Sequence, residues 1–273
     1  MRSFLYVPAH RRRPLEKALS GATGADSVIV DLEDAVPFEE RAAAEENLTQ
    51  AVQDPGGPPA LCRIRAGKEE RAADLAVIPT WFDGVLLAKA QASDDLRRVA
   101  ETVSRRGQRL GIWLLIESAE GVENLRMLLA SDVPVAGVMF GAGDMRADLG
   151  LWDDDDDRLV DHIRSQIVVA CVAAHVQHIV DTPEPDVEPG ARFAARIRSA
   201  RGLGFTAKAA IHPRQLAAID AAFRPSAQRL AWARKVLAAG DGASRVDGVM
   251  IDEATKRVAR RLTASAADNG KRE

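Results

Sequence analysis

Short apolar runs recur along the chain, each set off by glycine, proline or a charged residue, at 4–7, 27–32, 60–64, 84–88, 112–116, 136–140, 178–180 and 205–211. Runs of this length, apolar on both faces, mark strands buried in a parallel sheet. Between them, stretches rich in alanine, arginine and glutamate carry helical spacing at 14–22, 39–53, 68–77, 93–106, 121–130, 158–176 and 190–202, with another at 213–222. Eight strands alternating with eight helices, with no break in composition, predict one closed α/β structure, a (β/α)8 TIM barrel, over residues 1–225. A doubly wound open sheet is the alternative, but it calls for a glycine-rich dinucleotide turn, and no G-x-G-x-x-G follows the first strand. Past the eighth unit the pattern changes. Residues 226–239 read as a helix, 240–242 as a flexible break, 248–252 as a short apolar element, 253–264 as a basic helix and 265–273 as a polar tail expected to fray. The segment 226–273 is therefore a helical extension, read as a lid over the barrel mouth or an oligomer contact.

Composition narrows the class. Of 273 residues 47% are hydrophobic, enough for a large core, and α/β barrels reach this length as single units. A formal net charge of -3 argues against nucleic acid or a membrane surface as partner. Cys62 and Cys171 each lie in an apolar segment with no CxxC nearby, which predicts neither a zinc site nor a disulfide scaffold and fits a reducing cytoplasm. The apolar stretch at the N-terminus is too short for a signal peptide, and no window approaches the ~18 apolar residues that span a bilayer. A soluble cytoplasmic protein is expected. The acidic run at 153–157 reads as a solvated loop whose charges favour the positive end of the helix that follows.

The ends of the predicted strands carry the chemistry. In parallel barrels the C-terminal strand ends face the active site. Here all but the first end in ionisable groups: Asp31, Glu33 and Asp34 after the second, Arg63 and Arg65 at the third, and Lys89 after the fourth. Glu117 follows the fifth, Asp144 the sixth, Asp181 and Thr182 the seventh, and Lys208 and His212 the eighth. Two carboxylates on successive strand ends, Glu117 and Asp144, place hard oxygen ligands side by side, which with waters and substrate oxygens suits Mg²⁺. Arg63 sits inside the run 60–64, where a guanidinium is costly to bury without an anionic partner. Arg65 is expected at the surface. Asp31, Glu33 and Asp34 read equally as helix caps, Lys208 as a structural ion pair, and His212, before Pro213, as the cap of the last helix. There is no GxSxG, Cys/His pair or P-loop, so nucleophilic hydrolysis is unsupported. A rim of metal and arginine suits reactions in which negative charge develops on oxygen.

These residues lie in ordered motifs, RSFLYVP at 2–8, VDLEDAV at 30–36, ESAEG at 117–121, FGAGD at 140–144 with ADLG at 147–150, KAAIHP at 208–213 and MID at 250–252. In them the chain resembles the citrate lyase β-subunit and malyl-CoA lyase group of the HpcH/HpaI aldolase superfamily. The resemblance implies a metal-dependent barrel that makes or breaks a C–C bond in a 3-hydroxyacyl thioester. Glu117 and Asp144 match the family's Mg²⁺ ligands, with Mn²⁺ the alternative ion. Arg63 matches the arginine that contacts the oxo-acid fragment, as do Gly141, Ala142 and Gly143, and it stabilises enolate charge. Asp252 matches an aspartate on the C-terminal segment that reaches a neighbouring subunit's active site as acid/base. Tyr6, Arg11 and Lys17 match positions that hold coenzyme A. Glu33, Asp34, Lys89, Lys208 and His212 fall around these groups in supporting positions.

The resemblance thus implies a Mg²⁺-dependent lyase of a malyl-, citramalyl- or citryl-type thioester, giving acetyl-CoA and a 2-oxo acid, in a homo-oligomer, here expected to be a trimer. The same residues serve the reverse condensation, as in a synthase, or hydrolysis of the thioester. A barrel that only binds a CoA thioester is the non-catalytic alternative. The chain departs from the family pattern at Ala9 for Gly, Arg65 for Asn, Ala88 and Gln91 for Pro and Glu around Lys89, and Gly143 for a frequent Glu before Asp144.

Overall fold

The computed structural model describes residues 1–152, 156–239 and 244–267. The chain forms two compact units, Met1–Ile219 and the residues from Asp220 on. In the first, eight strands close in chain order into an all-parallel barrel: β1 (Ser3–Pro8), β2 (Ser27–Asp31), β3 (Ala60–Ile64), β4 (Gly84–Leu87), β5 (Gly111–Ile116), β6 (Val135–Phe140), β7 (His178–Asp181) and β8 (Ala207–Ala210). Pairing of Ser3 with Lys208 and of Leu5 with Ala210 joins β1 to β8, so no sheet edge is left. Every residue of β2, β3, β4 and β8 is buried. That explains why these strands read as continuous apolar runs rather than as alternating ones.

Helices α1 (Arg12–Leu19), α2 (Arg41–Gln50), α3 (Lys68–Val77), α4 (Ser93–Arg105) and α5 (Ala119–Leu129) follow the first five strands. The apolar pattern does not announce α6 (Ala142–Asp148), which stands directly after β6 and before α7 (Arg158–Ala173). Seven residues containing a glycine carry too little periodicity to be read, and the result is that Asp144 lies in the first turn of a helix rather than in an open loop. α8 (Ala191–Leu203) precedes β8, and α9 (Leu216–Phe223) runs from the first unit into the second. Within the acidic run, residues 153–155 lie outside the described residues. Asp157 corrects the solvated-loop reading for its own position, since its carboxylate pairs with Arg146 at 3.0 Å and with Arg196.

The barrel interior is packed by Phe4, Ile29, Leu61, Leu86, Trp113, Leu115 and Met139. Trp113 meets the ring of Phe4 edge-on at 5.3 Å. It also stacks on His178 at 5.4 Å. Gly137 on β6 makes the room: a Cβ there would stand 2.3 Å from the indole.

The second unit carries α10 (Ala227–Ala238), an antiparallel hairpin of β9 (Ser244–Val246) and β10 (Val249–Ile251), and α11 (Glu253–Ala267). Asp247 and Gly248 turn the hairpin with φ of 50° and 82°. Ala233, Val236, Val246, Ile251 and Ala259 form this unit's own apolar core. The break expected at 240–242 lies outside the described residues, as does 268–273 of the expected tail. Among the described residues no helix is long and apolar enough to cross a membrane.

Gly137→Ala drives a methyl group into the Trp113 ring, and overpacking of this kind is expected to cost about 1–3 kcal/mol. A lower urea midpoint at unchanged m-value is the expected reading. A midpoint equal to wild type would show that the indole gives way freely.

Candidate active site

Pairing of β2 with β3 sets Asp31 beside Arg63 in register. Arg63, only 7% exposed, donates from Nε to Asp31 Oδ1 at 2.7 Å and from Nη2 to Oδ2 at 2.6 Å, a two-pronged fit of guanidinium to carboxylate. Its Nη1 lies 2.9 Å from Glu33 and 3.3 Å from Asp34. The Tyr6 ring stands 5.2 Å from the guanidinium carbon. Burial opposes the guanidinium's charge most strongly, but Asp31, together with Tyr6 and Glu33, outweighs it and holds its pKa above the ordinary value. Burial also pushes Glu33 up to about 7.

Glu117, directly after β5, is 3% exposed, and its Oε1 accepts the backbone N–H of Lys89 at 2.9 Å. Lys89 stands at φ 49°, a left-handed conformation that a side-chain-bearing residue holds only when its surroundings impose it. On the other side of Glu117, a Cβ at position 141 would lie 2.7 Å from Oε2, so the turn out of β6 needs its glycine. Burial pushes the Glu117 carboxyl up to about 8, against the pull of the Lys89 N–H. The Lys89 ammonium lies 3.6 Å from half-exposed Asp144 and 3.8 Å from Glu33.

Glu117, Asp144, Asp31, Asp34, Arg63, Tyr6 and 141–143 line one cavity of about 310 Å³ at the C-terminal end of the barrel. Among the described residues no group of three His, Cys, Asp or Glu is set to hold a metal. Two carboxylates beside open volume suit an ion that keeps waters and accepts substrate oxygens, as Mg²⁺ does. A carboxyl buried as deeply as Glu117 is costly to ionise without a cation beside it, so this donor set fits.

The structure thus brings Arg63, Glu117, Asp144, Glu33, Asp34, Lys89 and Gly141–Gly143 together. Five other expected site residues, Lys208, His212, Arg11, Lys17 and Asp252, fall elsewhere, while Tyr6 lines the cavity from inside the barrel. Lys208 is wholly buried and bonds Asp181 at 2.7 Å, the Thr182 carbonyl at 2.6 Å and Glu184 at 3.0 Å. It takes the structural alternative, and its role beside the metal carboxylates is not supported. His212 caps the short turn at Pro213–Gln215, its Nδ1 accepting the Arg214 N–H at 3.2 Å. Tyr6 departs from Arg11 and Lys17: it lies inside the barrel with its hydroxyl on Met139 Sδ at 3.0 Å, because position 6 points inward on β1. Arg11 and Lys17 are exposed, and Lys17 lines a groove of about 590 Å³ between α1 and α2. Asp252 belongs to the second unit, where its carboxylate accepts the backbone N–H and hydroxyl of Thr255, both at 2.9 Å, and those bonds hold its pKa below the ordinary value. Arg65 is not at the surface. It is 8% exposed and bonded through its backbone N–H, at 2.8 Å, and its guanidinium to buried Asp74.

Two residues escape the sequence reading. Asp31, taken there as a possible cap, is the main partner of Arg63, and the signal was available: an arginine within an apolar strand needs an acid on a neighbouring strand. Gln215 had no such signal. Wholly buried, it accepts the Ile211 N–H at 2.9 Å and donates to the carbonyls of Glu184 and Asp186 at 2.9 and 2.8 Å, tying the β7 and β8 loops together.

The family model described as HpcH/HpaI aldolase/citrate lyase matches residues 2–213. A citrate lyase subunit beta-like protein of Mycobacterium tuberculosis is 34% identical over 262 residues, covering 91% of this chain and 89% of that protein. A (3S)-malyl-CoA thioesterase of Cereibacter sphaeroides is 31% identical over 276 residues, 97% of this chain and 94% of that one. Among solved structures, protein CitE from Mycobacterium tuberculosis in complex with magnesium, acetoacetate and coenzyme A superposes with a TM-score of 0.82 at 30% identity, over 97% of this chain and 98% of that one.

The raised carboxyls set a pH dependence for the metal-free protein. Between the ordinary carboxyl range and about 8, the folded chain keeps a proton on Glu117 that the unfolded chain releases, and Glu33 does the same up to about 7. Stability is therefore fully present at low pH and falls as pH rises through that window, by about 1.4 kcal/mol per pH unit for each such group at most. Urea midpoints at several pH values should decline in this direction, and Glu117→Gln should flatten the slope. A slope of opposite sign, or one unchanged in Glu117→Gln, would exclude Glu117 as its source.

Proposed function

Because this chain belongs to the HpcH/HpaI aldolase/citrate lyase family, we propose that it is a Mg²⁺-dependent carbon–carbon lyase. Its substrate is a short 3-hydroxyacyl-CoA of malyl, citramalyl or citryl type, cleaved to acetyl-CoA and a 2-oxo acid. The observation that carries this reading is the meeting of Glu117, Asp144 and Arg63 on one cavity. Glu117 and Asp144 would hold the ion, which supplies Lewis-acid polarisation of the hydroxy-acid oxygens. Lys89 holds Glu117 through its backbone N–H, and its ammonium lies between Asp144 and Glu33. Gly141, Ala142 and Gly143 form the wall against which the oxo-acid fragment lies.

In cleavage the hydroxyl proton leaves as the C2–C3 bond breaks, and the bonding pair passes to the thioester carbonyl as an enolate. Arg63 stabilises the charge that develops on that oxygen, with Asp31 and Tyr6 fixing its plane. Asp252 takes up the hydroxyl proton as the bond breaks and then delivers it to the methylene carbon, which becomes the acetyl methyl group. We assign Arg11 and Lys17 to the phosphates of coenzyme A, where exposed cations pair with anions. Thioesterase action is the second reading, favoured by likeness to the malyl-CoA thioesterase, and release of free thiol rather than acetyl-CoA would identify it.

Glu117→Ala and Asp144→Ala are each expected to abolish Mg²⁺-dependent release of acetyl-CoA from a panel of these thioesters. Undiminished turnover in both variants would sink the assignment.

Assembly is proposed on a different ground. Asp252 stands at the start of α11, beyond the hairpin that exposes Val249 and Met250. Apolar side chains exposed beside a carboxylate suit docking on a neighbouring subunit. We assign a homotrimer in which Asp252 completes the site of the next protomer. Mixing Asp252→Ala with Arg63→Ala protein under demonstrated subunit exchange should restore part of the activity. A mixture that stays inactive rules shared sites out.

A further inference from the structure

Asp148, in the ADLG motif at 147–150, is exposed, and its Oδ2 accepts the backbone N–H of Ala119 at 2.7 Å. The two residues stand 29 apart in the chain and belong to different elements. Asp148 ends α6, and Ala119 is the first residue of α5. Ser118 already caps α5, its hydroxyl accepting the Gly121 N–H at 3.1 Å. The Ala119 N–H is one of the donors left over at that helix start, and the side chain that takes it up comes from another helix.

Position gives this contact a second consequence. Glu117 lies two residues before Ala119, and Asp144 lies one turn before Asp148 on the same face of α6. On the strand side, the Gly141 N–H bonds the Ile116 carbonyl at 3.0 Å. Each carboxylate is therefore enclosed between two cross-links, Ile116 to Gly141 before it and Ala119 to Asp148 after it. The second link matters because α6 is weak by itself. Its seven residues are too few for a helix that stands alone in water. Met145 is buried, while the other residues of α6 are half-buried or exposed. The Thr182 hydroxyl holds the first turn by accepting the Ala142 N–H at 3.1 Å, and Asp148 holds the last. Gly150, at φ 67°, ends the helix just beyond it in the left-handed conformation that glycine favours.

We propose that Asp148 is a positioning residue for the carboxylate pair: by joining the end of α6 to the start of α5, it fixes the separation of Glu117 and Asp144. The inference rests on the reading of these two carboxylates as the ion's ligands and adds a residue that acts through them. Two hard ligands hold an ion well only when their own supports keep them in place, and a short helix free to drift weakens that hold. The contribution is geometric. An amide oxygen in place of the carboxylate would make the same bond, since the Ala119 N–H needs an acceptor and not a charge.

Mn²⁺ binding to the metal-free full-length protein, followed by the electron paramagnetic resonance of the unbound ion, tests this without reference to turnover. Asp148→Ala should weaken binding about tenfold, the lower end of what loss of a supporting contact costs a metal site. Asp148→Asn, which keeps the acceptor, should bind close to wild type. Ala119→Pro removes the same bond from the donor side, and proline suits the first position of a helix after the extended Ser118, at φ -141° and ψ 157°. It should match Asp148→Ala, and the double variant should be no weaker than either, because both delete one contact. The two substitutions lie on different helices, so either decides the matter should circular dichroism show the other unfolded. Wild-type affinity in Asp148→Ala and Ala119→Pro overturns the proposal, as does a double variant in which the losses multiply. If Asp148→Asn is as weak as Asp148→Ala, charge rather than the cross-link attracts the ion, and the proposal falls. Each of these results leaves the lyase reading standing when Glu117→Ala and Asp144→Ala abolish Mn²⁺ binding. If those two variants retain it, or the wild type has none, the metal reading fails and this proposal with it.

Discussion

A guanidinium enclosed in a closed sheet is the constraint around which the mouth of this barrel is organised. Arg63 lies in a strand whose every residue is buried, and removing its charge from water is tolerable only because β2 delivers Asp31 in register beside it. The fork between the two then orients the remaining nitrogen toward Glu33 and Asp34, while the Tyr6 ring supports the guanidinium plane. Pairs of this kind add little net stability, because desolvation consumes most of the Coulomb gain. Their effect is positional. Loss of Asp31 would leave Arg63 only the contacts of one nitrogen with Glu33 and Asp34, and loss of Arg63 would leave the buried Asp31 carboxylate without its guanidinium.

A second charge network repeats the device on the other side of the barrel. Asp181 and Lys208 are register partners of β7 and β8, and Arg164 reaches in from α7 to close a bidentate pair with the same aspartate. Lys208 also holds the Thr182 carbonyl, and the Thr182 hydroxyl accepts the Ala142 N–H at 3.1 Å. The β7 network therefore extends to the first turn of α6, where Asp144 stands. Each network uses an acid ending one strand and a base on the next, which parallel pairing makes neighbours.

Glu117 lies between these networks and is held differently, by backbone alone. An N–H from left-handed Lys89 meets one carboxylate oxygen, and the bare Cα of Gly141 gives clearance to the other. Backbone support leaves its ionisation responsive to whatever cation enters, since among the described residues no positive side chain is bonded to it. The strained φ of Lys89 is concentrated where the chemistry is placed, as backbone strain commonly is. The rim so divides into a charged scaffold that is already satisfied and a carboxylate pair that gains most from a ligand.

Strand periodicity and the punctuating glycines and prolines determined the barrel, because a strand buried on both faces must be apolar throughout and its ends must carry whatever is polar. The same logic made Arg63, Glu117 and Asp144 legible as a site: charged groups at the ends of apolar runs have few other reasons to be there. Tertiary structure alone decided which charges serve which. Asp31 looks like a cap and Lys208 like a rim residue until strand register pairs one with Arg63 and the other with Asp181. Arg65 looks exposed until α3 brings buried Asp74 to it. Tyr6 is set inward by the pleat of β1, and α6 is too short to leave a period in the chain. Register, pleat direction and helix docking are relations between segments far apart in the chain, and a pattern read locally along it contains none of them.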